Sequence, residues 1–137
     1  MPDWLVGALL VAVALLVRWF TSTDLGRDAT LYLWTAGQVL DGRFEALWQS
    51  VFHPLHPAVV AMVGSASPDV PLERVGRWVA SVAGALAAWP LFLLGKRVVG
   101  SPGAVWGALL YCIGSWFART PVEAMSEGLY WLCICSG

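Results

Sequence analysis

The sequence predicts an all-α, polytopic transmembrane protein with an amphipathic juxtamembrane helix in its first outer loop. Three observations predict it. The chain is 58% hydrophobic and 12% charged over 137 residues, where a soluble domain is about 25% charged. Its mean hydropathy is +0.69. Its apolar residues gather in runs at 4–20, 74–95 and 103–118, with a further run starting at 128–137, and polar stretches divide them. The net charge of −1 offers no basic face to a nucleic acid.

Residues 4–20 stand at the short end of the roughly 17–25 residues a spanning helix needs. No Lys or Arg precedes this run and no small-x-small cleavage site follows it, so it reads as a retained span. Arg18, near its end, is expected to snorkel to the interface, beside an aromatic belt of Trp19 and Phe20. Residues 21–73 read as an outer loop with interfacial helices. In 28–41, Ala29, Tyr32, Leu33, Ala36 and Leu40 recur at helical spacing, Thr30, Trp34, Gln38 and Asp41 lie off that stripe, and Gly42 is the stop. Such a helix suits the membrane surface. The apolar stretch after His53 is too short to cross a bilayer and reads as interfacial, with Pro57 in the first turn of a short helix.

Residues 74–95 are long enough to span. Gly76, Ala80, Gly84 and Ala88 make a small-residue ridge that lets helices approach closely. Pro90 is tolerated where neighbours satisfy the freed carbonyl. Lys96-Arg97 marks a polar end, 98–102 a tight connection, and 103–118 the next span, with Gly103 and Gly107 as a second close-packing face. After a polar segment at 119–127, the run at 128–137 is too short to cross a bilayer. The chain is therefore expected to be the N-terminal part of a longer membrane protein. Cys112, Cys133 and Cys135 all lie in apolar runs, where cysteine packs as a small hydrophobe. Cys133 and Cys135 lack the CxxC spacing of a zinc or redox motif.

Lys96-Arg97 in a short loop is a positive-inside signal and puts that loop in the cytoplasm. The 21–73 and 119–127 segments then share the outer face, provided the stretch after His53 does not span. Two acid pairs, Asp24 with Asp28 and Glu123 with Glu127, would lie on that one face. Carboxylates beside membrane spans usually line a wet or protein-filled cavity. From spacing alone Asp28 reads as a helix cap and Asp24 as a loop acid. Glu123 and Glu127 are placed to share a helix face, either as a solvated helix start or as a site for a polar substrate or divalent cation. His53 and His56 have no third ligand at a zinc-like spacing, which favours a structural or interface role. Arg74 and Arg77 read either as donors to a lipid phosphate or as snorkelling side chains. The nine tryptophans are mainly interface anchors.

Four local patterns, in this order, resemble the N-terminal part of GT-C glycosyltransferases, polytopic enzymes that use polyprenyl-phosphate-linked sugars. The similarity is to the bacterial branch of protein O-mannosyltransferases and aminoarabinose transferases. Gly26-Arg-Asp-Ala-Thr-Leu-Tyr-Leu-Trp resembles the acid-plus-aromatic start of that family's first outer loop. Phe52-His-Pro-Leu-His-Pro resembles its His-Pro-Leu-Tyr-Pro-like motif, with His56 where an aromatic is common. Arg77 through Gly100, with Leu94-Gly-Lys-Arg-Val-Val-Gly, resembles its second span and short basic loop. Phe117-Ala-Arg-Thr-Pro-Val-Glu-Ala-Met-Ser-Glu-Gly-Leu-Tyr resembles its second outer loop. The resemblance implies sugar transfer from a polyprenyl-phosphate donor at the outer face of the cytoplasmic membrane. It makes Asp28 the catalytic base or a metal ligand. Beside it, Glu127 is taken as a second catalytic residue, and Arg77, His53 and Glu123 as substrate-binding ones. Sugar, acceptor and metal stay open. Two other readings remain: a non-enzymatic membrane interaction protein that packs through its Gly/Ala ridges, and a transporter-like piece.

Overall fold

A computed structural model describes residues 1–20, 27–49, 53–114 and 127–136. They form α1 (Asp3–Phe20), α2 (Arg27–Leu40), α3 (Ala46–Gln49), α4 (Leu55–Ser65), α5 (Leu72–Leu86), α6 (Ala88–Ile113) and α7 (Glu127–Ser136), with no strand among the described residues. Asp24, Phe52 and 115–126, which carry Glu123 and most of the expected second outer loop, lie outside them.

Two helical runs, Asp3–Phe20 and Leu72–Ile113, are long and apolar enough to cross a membrane. The second is two legs. Only Ala87, itself in the αR conformation, separates α5 from α6. Gly100, at φ 78° and ψ 170°, then turns the chain back within α6. That backbone region is essentially restricted to glycine, and Pro102 falls in the first turn of the returning leg, where its missing N–H costs nothing. A Cβ on Gly95 would lie 3.3 Å from Ala104, so the two legs touch closely. The expected boundaries shift accordingly. The first leg runs from Leu72 through Lys96-Arg97, and the connection narrows from 98–102 to the bend at Gly100.

α5 is the spine. Its first turns pack with α2 and α4 around Ala36, Val60, Ala61 and Val75, flanked by Leu33, Val63 and Leu72. Its last turn joins α1 and both legs of α6 around Leu10, Ala14, Ala85, Ala88, Phe92, Ala104, Ala108 and Cys112. Alanine dominates this second core because small side chains let helix axes approach. The ridge Gly76, Ala80, Gly84 and Ala88 is buried throughout. Outward-facing large apolar residues surround the same helices, among them Leu9, Leu16, Trp106, Leu110 and Ile113.

Two expectations are corrected. The apolar stripe of α2 does not lie on a surface: Ala29, Tyr32 and Ala36 are buried, because α4 and α5 cover that face. Leu31 and Trp34 stay exposed on the other side. Arg18 does not snorkel outward. It is 3% exposed, because it continues the inward stripe Gly7, Leu10 and Ala14 of α1.

Candidate functional site

Of the expected site residues, Asp28, His53 and Arg77 lie on or beside α2, α4 and α5, Glu127 lies on α7, and Glu123 is outside the described residues. Asp28 is half-buried in the first turn of α2, one position after Arg27, and so stands inside the helix rather than at its cap. A carboxylate there faces the positive end of the helix dipole. His53 is exposed just ahead of α4. Pro54 is the N-cap of α4 and Pro57 lies in its first turn, which starts this short helix where its first N–H groups would lack partners anyway. α4 has 11 residues, about 16 Å of helix at 1.5 Å per residue, roughly half of a ~30 Å hydrocarbon core.

His56 takes a packing role. It is 1% exposed, and its ring meets Tyr32 edge-on, with centroids 5.2 Å apart and planes at 77°. That geometry suits the quadrupoles of two aromatic rings and clamps α2 to α4. Gly64 lets α4 come close as well: a Cβ there would lie 3.1 Å from Leu72 of α5.

Arg77 is half-buried and held by Glu73 one turn earlier on α5, Nη2 to Oε1 at 3.1 Å. Arg74 is exposed, and among the described residues it makes no ion pair. Glu127 is the first backbone position of α7. α7 packs on α5 and α6, and α2 packs on α4 and α5, so the helices that carry Asp28 and Glu127 share α5 as a neighbour. Among the described residues no three His, Cys, Asp or Glu side chains gather as a metal-binding group.

Two polar features were missed from the sequence. Lys96 Nζ donates to both carboxylate oxygens of Asp3, at 2.7 and 2.6 Å, tying the start of α1 to the hairpin tip. Deeper, Arg18 donates to the Ala14 carbonyl at 3.1 Å, and its guanidinium carbon lies 5.5 Å from the centroid of the Tyr111 ring. Tyr111 donates its hydroxyl to the Gly84 carbonyl at 2.7 Å, and the Cys112 thiol reaches the Leu10 carbonyl at 3.5 Å. The signal for Arg18 was present: it falls on the small-residue face of α1 at spacings of three and four. The pairing of Asp3 with Lys96 spans 93 positions and left no local signal.

Compared with protein-family models, curated proteins and solved structures, the chain shows no match.

Proposed function

We propose that this chain supplies membrane helices to a polytopic glycosyltransferase that takes a sugar from a polyprenyl-phosphate donor at the outer face of the cytoplasmic membrane. The observation that carries this reading is the division of the molecule along α5 and the first leg of α6. Arg74 and Arg77, with the helices of Asp28 and His53, belong to one end. Lys96 and Arg97 belong to the other, tied to the start of α1 by Asp3. Arg74 to Lys96 is about 33 Å of helix at 1.5 Å per residue, close to the ~30 Å hydrocarbon core. With Lys96-Arg97 in the cytoplasm, Asp28 comes to the outer face.

In this reading Asp28 takes the proton of the acceptor hydroxyl or amine as the acceptor attacks the anomeric carbon. The bond from that carbon to the phosphate oxygen breaks, and polyprenyl phosphate leaves. Arg77 and His53 bear on the donor phosphate, and Glu123 and Glu127 on the sugar or acceptor. In a branch that uses a divalent cation, Asp28 and Glu127 are the carboxylates that would supply its ligands, and the cation would supply charge to the departing phosphate.

Burial of the Gly76–Ala80–Gly84–Ala88 ridge argues against the packing-module alternative, because neighbouring helices of this chain already cover it. The test is Asp28→Asn in the protein produced in its own membrane. Transfer from a polyprenyl-phosphate sugar should fall by about 10²–10⁴-fold with insertion intact. The loss at the helix start amounts to only about 0.3–1 kcal/mol of dipole interaction. Transfer within a few-fold of wild type would refute the assignment.

A further inference from the structure

The run from Leu72 to Ile113 is long and apolar enough to cross a membrane, yet its hydrogen-bond ladder is interrupted inside the first leg. Ala87 belongs to neither α5 nor α6. Pro90, shortly after it, has no N–H to offer the Leu86 carbonyl. Ala87 itself stays in the αR region, at φ −62° and ψ −21°, so the break lies in the bonding and not in a turn of the chain. Helices bend where a proline removes a ladder bond, and hinges form at a few residues that end an element.

The break falls between two packed groups. On one side α5 packs with α2 and α4 around Ala36, Val60, Ala61 and Val75. On the other, α1 and α6 pack around Leu10, Ala14, Phe92, Ala104 and Ala108. The buried side chains at the break, Ala85, Ala87 and Ala88, join this second core through methyl groups alone, and such shallow ridges interlock little. Trp89, inside the break, lies against α1 where Gly7 has no side chain: a Cβ there would stand 2.9 Å from its ring. One hydrogen bond crosses between the groups beside the break. Tyr111 of α6 donates its hydroxyl to the carbonyl of Gly84 on α5, at 2.7 Å. Arg18 of α1 lies over the ring that carries that hydroxyl, 5.5 Å from its centroid.

We propose that the break from Ala87 to Pro90 is a hinge on which α5 swings, with α2 and α4, against α1 and α6, and that Tyr111 on Gly84 is its latch. The latched state dominates because opening separates the hydroxyl from its acceptor. α1 and α7 also touch α5, and these contacts keep the motion to a pivot. Asp28 and Arg77 ride on the swinging group, so the hinge sets their distance from α6. The inference holds whichever face is outside and does not depend on the transfer chemistry.

The test is pulsed electron paramagnetic resonance on the full chain in lipid nanodiscs, with spin labels introduced as unnatural amino acids at exposed positions. A pair at Met62 of α4 and Trp106 of α6 spans the hinge. Wild type should show a main distance and a minor second one. Tyr111→Phe should raise the ratio of second to main by about two- to tenfold, the effect of one hydrogen bond. Pro90→Ala, which restores an N–H for Leu86, should remove the second distance. A pair at Leu9 and Trp106, both within the α1 and α6 group, should read the same in all three proteins. A single unchanged distance between Met62 and Trp106 in all three would overturn the proposal. So would an equal broadening of the Leu9 and Trp106 pair in Tyr111→Phe, which would mean a loosened bundle and not a hinge.

Discussion

The ring of His56 is wedged against Tyr32 in the seam between α2 and α4, at the position where the resembling motif more often has an aromatic residue. Its packing makes a residue-level prediction. His56→Ala should destabilise the fold by about 3–5 kcal/mol, in the range for removing a buried ring, whereas His56→Phe should keep most of the edge contact and cost clearly less. Thermal unfolding of the two variants in the same detergent compares them, and equal losses would count against a packing role. Tyr111→Phe isolates a single bond. It removes the hydroxyl that reaches Gly84 and should cost about 0.5–1.5 kcal/mol, while the ring stays beside Arg18. Unfolding in urea or heat would show a larger loss if the hydroxyl also supports the guanidinium.

Among the elements, the bend at Gly100 is constrained by its backbone. Its φ of 78° lies where side chains are strained, although the space around it is open. Gly100→Ala should therefore cost about 1–3 kcal/mol through the backbone alone, visible as a lower melting temperature with no new steric clash. Gly7→Leu would act on α1 for a different reason: a Cβ there would lie 2.9 Å from the ring of Trp89, so the larger side chain must push α1 off α6. Much of this level was legible from sequence. Gly42 ends the turn after α2, Pro54 and Pro57 start α4, and Gly100 with Pro102 closes the hairpin, each for a backbone reason that is local. The covered face of α2 was legible, since Ala29, Tyr32 and Ala36 lie on its predicted apolar stripe and are buried, but what covers it was not, because that takes α4 and α5 in place. For the site, the positions of Asp28 and His53 at element starts followed from the pattern. The hold of Glu73 on Arg77 is an i,i+4 pair that the sequence contains, but the burial of Arg18 requires α6 to be in place.

For the whole molecule, the pairing of Asp3 with Lys96 sets the two ends of the bundle. Both side chains are partly exposed, so the pair adds at most about 1 kcal/mol, and its value is as a marker of sidedness. Single cysteines at Asp3 and Arg97 should react alike with an impermeant thiol reagent, only after permeabilisation, and a cysteine at Arg43 should react in intact cells. Labelling of positions 3 and 43 from the same side would refute the proposed topology.

The separation of partners along the chain also bears on how the protein is made. α1 is synthesised first, yet Phe92, Ala104 and Ala108, which pack with its Leu10 and Ala14, and Tyr111, which faces Arg18, come from α6. At about 5–20 residues per second, the roughly ninety residues between them take some five to twenty seconds to emerge. Throughout that interval α1, one of the two helical runs long and apolar enough to cross a membrane, carries a guanidinium that has no ring to lie on. Nascent chains arrested before Trp89 should thus hold α1 loosely, open to extraction or proteolysis, and chains arrested after Ile113 should hold it firmly. The first helix to be translated would be among the last to be secured.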